Sequence, residues 1–226
     1  MRYERIRPGR FLARPNRFIA HVDLDGETAV VHVKNTGRCR ELLVPGAPVW
    51  VQAAANEARK TKWDLIAVQK GARLINMDAQ APNAVFHEWA AAGRFRPDIT
   101  AIRPEAPYGA SRFDFRLERS SGVHFVEVKG VTLEEDGAAF FPDAPTERGV
   151  KHLRELCAAV AAGHRATAFF VIQMEDIRSF SPNDRTHPAF GEALRAAREA
   201  GVEIEAWECH VSPEELTIWR PVEVVL

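Results

Sequence analysis

The sequence predicts two units of different architecture: a short β-barrel, then an α/β layer built on a mixed sheet flanked by helices. Three observations predict it. Up to about residue 80, apolar residues alternate in short runs separated by turn residues, the signature of half-buried strands. Beyond it, helical spacings of three and four residues alternate with apolar runs of strand length, as in layered α/β domains. The rhythm changes at Ala81-Pro82-Asn83, so the expected units are residues 1–80 and 81–226.

In the first unit, RFIAHVDLDGETAVVHVKN is a hairpin. Phe18, Ala20, Val22 and Leu24 alternate, Asp25-Gly26 supplies the turn, and Ala29, Val31 and Val33 alternate again. NTGRCRELLVPG reads as a turn, a short helical piece and a stop at Pro45-Gly46. PVWVQAA, WDLIAVQ and ARLINMD are three further strands. Short strands around one small helix suit an OB-like barrel, and an SH3-like barrel fits the same pattern.

In the second unit, NAVFHEWAAAG is a helix closed by Gly93. Strands follow at ITAIRPE, SRFDFRLE, VHFVEVKGVTL and AAFF. The strongest helix is TERGVKHLRELCAAVAAG, whose Val150, Leu153, Leu156, Cys157, Val160 and Ala161 share a face. ATAFFVIQ is continuously apolar, as expected of a strand covered on both sides. HPAFGEALRAAREAG is a second amphipathic helix and VEIEAWECHVS another strand.

Composition narrows the function classes. Hydrophobic residues make up 46% of the 226, enough for real cores and against disorder. No apolar run approaches the roughly 18 residues a membrane span needs, and the Arg-rich start lacks an apolar signal-peptide region. Cys39, Cys157 and Cys209 are too scattered for a disulfide framework or zinc site, which points to a reducing, cytoplasmic compartment. The net charge of -1 conceals an asymmetry: residues 1–80 carry 14 Lys+Arg against 8 Asp+Glu, and the remainder 16 against 23. A basic half points to a polyanion, DNA or RNA, with Arg14, Arg17, Lys34, Arg38 and Arg40 as candidate contacts. A solvated, Arg-rich tail is the plainer reading of the first 17 residues.

Charge also sits where core is expected. Asp114 lies between Phe113 and Phe115, and Glu127 and Lys129 interrupt Phe125, Val126, Val128 and Val131. Glu127 and Lys129 share a strand face, their Cα atoms about 7 Å apart at roughly 3.3 Å per residue. The short connection ERSSG sets the two strands side by side, which brings Asp114 to Glu127 and Lys129. Two adjacent carboxylates repel unless a cation joins them, and hard Mg²⁺ needs only one or two carboxylates. Such an ion polarises a phosphoryl oxygen and activates water, and a lysine beside it offsets developing charge. Asp followed by Glu-x-Lys is the PD-(D/E)xK nuclease arrangement. Glu88 on the preceding helix is a further candidate metal ligand, and Gln173 at the end of FFVIQ a further catalytic candidate. The bare pattern is loose, and many hairpins match it.

Longer motifs are more specific. KNTGRCRELLVPG, SRFDF, VEVKGVTL, FFPDAPTERGVKHLREL and FSPNDRTHPAF together resemble the sugar fermentation stimulation protein family, SfsA, over essentially the whole chain. The resemblance implies an N-terminal OB-like barrel, a C-terminal PD-(D/E)xK nuclease-like mixed sheet and nucleic-acid binding. It puts Asp114, Glu127 and Lys129 at the catalytic positions of that fold. The expected function is therefore Mg²⁺-dependent (or Mn²⁺-dependent) phosphodiester hydrolysis. The alternative is a non-catalytic DNA-binding regulator of sugar metabolism genes that keeps the nuclease fold as a scaffold.

Plainer readings attach to the remaining candidates. Arg148, Lys151 and His152 lie near a helix start that favours phosphate, yet Lys151 also suits an ion pair with Glu155. His152 and His164 read as surface residues. Ser181-Pro182-Asn183-Asp184 reads as a turn before the next helix. Trp50, Trp63 and Trp89 read as core.

Overall fold

Fifteen strands in two separate sheets and three helices make up the computed structural model, which describes residues 1–35, 37–56, 58–109 and 111–226. The first sheet holds β1 (Ile6–Asn16), β2 (Ile19–Leu24), β3 (Glu27–His32), β4 (Pro48–Ala53), β5 (Trp63–Lys70) and β6 (Arg73–Asn76). Its order is β3-β2-β1-β4-β5-β6, and β3 also pairs in parallel with β5 at Val31↔Trp63 and His32↔Asp64. That pairing closes β1 to β5 into a five-stranded barrel of the OB type. The β2–β3 turn has Asp25 at φ 58° and Gly26 at φ 90°, the pair of positive angles that a tight hairpin requires. Val22, Val31, Val49, Val51, Leu65 and Val68 fill the barrel.

Two expectations for this half are corrected. The Arg-rich start is no tail: β1 runs between β2 and β4, with bulges on its β2 side, and buries Phe11. The helical piece in NTGRCRELLVPG is absent from the described residues. A single turn closed on the Cys39 carbonyl carries Leu42 and Leu43 into the core instead.

α1 (Ala81–Ala91) leads into the second sheet. Its strands are β7 (Ile99–Tyr108), β8 (Ser111–Arg119), β9 (Gly122–Val131), β10 (Leu133–Glu135), β11 (Ala138–Phe141), β12 (Arg165–Ile172), β13 (Ser179–Pro182), β14 (Glu203–Val211) and β15 (Leu216–Val224). α2 (Glu147–Ala161) and α3 (Pro188–Glu199) complete the fold. The order β10-β11-β13-β15-β14-β12-β9-β8-β7 mixes parallel and antiparallel pairs. β12, parallel to both β9 and β14, is the fully buried centre, which is why its sequence is apolar without alternation.

Alternate residues send the two faces of this sheet to different partners. Val126, Val128, Phe169 and Val171 pack with Phe86 and Trp89 of α1. Phe125, Phe170 and Ile172 pack with Val150, Leu153 and Leu156 of α2. Thr146 caps α2, its hydroxyl accepting the Gly149 N–H at 3.0 Å. Ser181 and Pro182, read as part of a turn, end β13, and the turn begins after them. Trp89 is buried, whereas Trp50 and Trp63 are half-buried.

The two sheets are locked together. Lys70 and Arg73 of the barrel hold the buried Glu134 at 2.8 and 2.9 Å. Gln173 Nε2 donates to Asn76 Oδ1 at 2.9 Å and to the Asp78 carbonyl at 3.1 Å. Asn76 in turn donates to the Tyr3 hydroxyl at 3.0 Å, while Tyr3 N–H donates to the Glu214 carbonyl of the second half.

Candidate active site

β8 and β9 form an antiparallel ladder from Arg119↔Gly122 to Phe115↔Val126. The ladder stops one residue short of Asp114 on β8 and of Glu127 on β9. There the Asp114 side chain takes over the strand's role: Oδ2 accepts the Val128 N–H at 2.8 Å, and Oδ1 accepts from Asn83 Nδ2 at 3.0 Å. Asn83 stands in the first turn of α1, so this helix orients the first acid. Burial, then the neighbouring Glu127, holds the Asp114 carboxyl above its ordinary range.

Glu127 is 3% exposed and faces α2. Its Oε1 accepts from Lys129 Nζ at 2.5 Å and from His152 Nδ1, in a close contact. Arg148 Nε donates to His152 Nε2 at 3.3 Å, so the imidazole proton belongs on Nδ1, facing the carboxylate. Burial alone would raise the Glu127 carboxyl; His152 and Lys129 outweigh it and hold the group below its ordinary range. Glu127 Oε2 is buried and has no partner. Two adjacent carboxylates with one unclaimed buried oxygen form an all-oxygen donor set that fits a hard divalent ion. Among the described residues no group of three or more His, Cys, Asp or Glu converges, so waters and substrate would complete such a shell.

Asp114 and His152 border a cleft of about 450 Å³ whose rim carries Arg112, Arg148 and Lys151. Lys151 reaches Glu155 at 3.7 Å while remaining exposed. Asp114 and Glu105 are the acids of its lining, and Glu105 pairs with Arg112 at 2.9 Å, so the cleft sets Asp114 near Arg148 and Lys151, cations that suit a phosphodiester.

Asp114, Glu127 and Lys129 come together; Glu88 and Gln173 do not join them. Glu88 lies five residues after Asn83, about 140° round the helix. It is exposed and pairs with the Met1 amino group at 2.6 Å. Gln173 is spent on the junction between the sheets. His152, read as a surface residue, is 5% exposed. Its spacing held the signal: three residues after Gly149 and four before Leu156, it falls on the buried stripe of α2. His164 is half-buried, its ring edge-on to Phe125. Asn83 has no such signal, because only the docking of α1 aims it.

The barrel presents a second charged concavity, about 430 Å³, lined by Arg14, Arg17, Arg38 and Arg40. Arg14 is committed internally: its terminal nitrogens donate to the carbonyls of Arg17, Asn35, Gly37 and Arg38 at 2.7–2.8 Å. Lys34 is likewise paired, to Asp78 at 2.8 Å. Arg17, Arg38 and Arg40 are exposed. Thr36 of the NTGR motif lies outside the described residues.

Comparison with known proteins places this architecture. A family model described as the SfsA N-terminal OB domain matches residues 12–77, and one described as the sugar fermentation stimulation protein RE domain matches residues 80–215. The chain belongs to the SfsA family. A sugar fermentation stimulation protein homolog of Desulfitobacterium hafniense is 58% identical over 96% of the chain and 94% of the relative. One from Clostridium beijerinckii is 53% identical over the full length of both. The structure of Pyrococcus furiosus SfsA in complex with Ca²⁺ superposes with a TM-score of 0.90 at 29% identity, covering 100% of this chain and 98% of that one. No helix among the described residues is long and apolar enough to cross a membrane.

Proposed function

We propose that this SfsA family member binds nucleic acid and hydrolyses phosphodiester bonds with a divalent ion, Mg²⁺ or Mn²⁺. The observation that carries the reading is the unpartnered, buried Oε2 of Glu127 beside Asp114, the second carboxylate, which lines a cleft together with Arg112, Arg148 and Lys151. The Ca²⁺ held by the Pyrococcus furiosus relative supports a divalent-ion site in this fold. Asp114 and Glu127 would hold the ion, which supplies Lewis-acid polarisation of the phosphate and a more acidic water.

The chain's own groups do the rest. Val128 N–H and Asn83 fix Asp114, and His152 with Lys129 keeps Glu127 ionised. Lys129, on the same face two residues along, would stabilise charge on the reacting phosphate. Arg112, Arg148 and Lys151 bind the flanking phosphates, and Arg17, Arg38 and Arg40 extend the electrostatic footprint over the barrel. The three free thiols suit a reducing cytoplasm.

The test is purified protein against single- and double-stranded DNA and RNA, with Mg²⁺, Mn²⁺, Ca²⁺ or chelator. Mg²⁺ or Mn²⁺ supports cleavage, and Ca²⁺ binds but supports it poorly. Asp114→Asn, Glu127→Gln and Lys129→Ala each lower turnover by about 10²-fold or more, with binding retained in chelator. Protein that binds but cuts none of these substrates with Mn²⁺ present would establish the regulator reading instead.

A further inference from the structure

Between the barrel and the second sheet lies a cavity of about 200 Å³ that the proposed chemistry does not use. Asn35 and Gly37 of the barrel loop line it from one side, and Phe140, Phe141, Asp143 and Gln173 from the other. It is smaller than a typical drug-sized site, about 300 Å³ or more, and suits a single heterocycle. Its walls are aromatic and its edges carry amide and carboxylate groups.

Asp143 sets the chemistry. Burial raises its carboxyl against the pull of the backbone N–H groups of Asp143, Arg38 and Ala144, and Oδ2 is buried without a partner. Gly37 is pressed against that oxygen: a Cβ there would lie 2.0 Å from it. Arg14, the cation acting on Asp143, gives its terminal nitrogens to four carbonyls. An uncompensated acceptor repels phosphate but welcomes a neutral N–H donor, because an unmade buried hydrogen bond costs more than a made one gains.

The neighbours of the cavity supply what phosphate needs. Gly37 also borders the arginine concavity of the barrel. Gly130 also lines the cavity and follows Lys129, whose ammonium pairs with Glu127 in the candidate active site. A strand running from the arginines toward the candidate active site therefore passes this cavity, with the cations on its barrel side.

We propose that the cavity seats one unpaired nucleobase of a single-stranded polynucleotide, with an exocyclic amino group on Asp143 Oδ2 and a flanking phosphate on the exposed arginines of the barrel. Paired bases are stacked inside a duplex and cannot enter it. The proposal rests on the nucleic-acid part of the function above, not on hydrolysis.

Binding of short labelled oligonucleotides, measured by fluorescence anisotropy in chelator, tests it without any cleavage. Single strands of either DNA or RNA bind more tightly than the matched duplex. Oligo(dC) and oligo(dA) bind about tenfold more tightly than oligo(dT), whose one ring N–H lies between two carbonyls that the carboxylate repels, a difference worth about one hydrogen bond to a charged acceptor. In Asp143→Asn the amide oxygen keeps the backbone N–H groups and the amide nitrogen faces the cavity, so the preference turns toward the carbonyl-rich thymine. Phe140→Ala weakens single-strand binding roughly tenfold whatever the base and leaves duplex binding unchanged. If Asp143→Asn fails to fold by circular dichroism, Phe140→Ala carries the test. Equal affinity of the parent for duplex and single strand, an unaltered dC/dT ratio in folded Asp143→Asn, or a Phe140→Ala loss shared by duplex overturns the proposal. Cleavage by the parent with Mn²⁺ is read separately, so hydrolysis and base seating stand or fall apart.

Discussion

Replacing His152 with alanine tests how the candidate site is held before any ion arrives. Glu127 is a buried carboxylate whose Oε1 takes both of its donors, His152 Nδ1 and Lys129 Nζ, while Oε2 takes none. Alanine removes one donor from a charged acceptor, worth about 1.5–3 kcal/mol. It also empties the volume of an imidazole that is itself 5% exposed, so the combined loss is about 3 kcal/mol. For a chain of this length that is a fall in Tm of roughly 6–12 °C. Thermal and urea unfolding in chelator measure it. His152→Asn, which keeps an N–H donor near the same place, recovers roughly half of the loss. Turnover with Mn²⁺ gives the second readout: alanine raises the Mn²⁺ concentration needed for half-maximal cleavage, and asparagine brings it back toward the parent value. His152→Ala within 0.5 kcal/mol of the parent, or an unchanged Mn²⁺ requirement, would refute the view that His152 positions and ionises Glu127.

Three further outcomes follow from the same structure. Asp114 has a folded pKa above its unfolded value near 3.8, so the folded protein binds its proton more readily and this group destabilises as pH rises through the raised value. Asp114→Asn in chelator is therefore more stable than the parent at pH 7, and urea titrations show the advantage disappearing below about pH 4, where the parent is protonated too. His124 shows the opposite case for a base. Burial pushes its imidazole down to about 4 from 6.5, while Thr167 and Arg119 hydrogen-bond the ring. The stability it contributes is complete above pH 6.5 and is lost as pH falls toward 4, so His124→Gln flattens that stretch of the stability–pH curve. Finally, double-stranded DNA binding weakens with salt by a log–log slope of about -0.9 per phosphate neutralised. Replacing Arg38 and Arg40 with alanine reduces that slope by about 2 in a salt titration, whereas Lys34→Ala, whose charge is spent on Asp78, alters it little.

Much of this protein is written in local pattern. Alternation in residues 18–33 with Asp25-Gly26 between specifies the β2–β3 hairpin, because a tight turn needs residues that tolerate positive φ. The apolar stripe of α2 and the unbroken apolar run of β12 specify a helix against a doubly covered strand. The acid pair and lysine stand out because charge inside an apolar strand is costly unless it is used. Their meeting was legible too, since the short connection ERSSG sets the two strands side by side.

Other features depend on tertiary structure. β1 contains Pro8, Gly9 and Pro15 and lacks clean alternation, yet it becomes a barrel strand because β2 and β4 supply partners on both sides. β15 carries Pro221, which argues against a strand from sequence alone. It is tolerated because β13 meets β15 only at Glu223 and Val224, so Pro221 owes no bond on that flank. The fate of each charge was decided the same way. Arg14 and Lys34 are as basic in sequence as Arg38 and Arg40, but the carbonyls of Arg17, Asn35, Gly37 and Arg38 and the Asp78 carboxylate consume the first two and leave the others to solvent. Glu88 turns toward Met1 while Asn83 turns toward Asp114, because the roll of α1 is set by Phe86 and Trp89 packing on the sheet. Sequence determines which residues carry chemistry through their cost to local structure; packing determines which of them meet, because the partner that satisfies a polar group is distant along the chain.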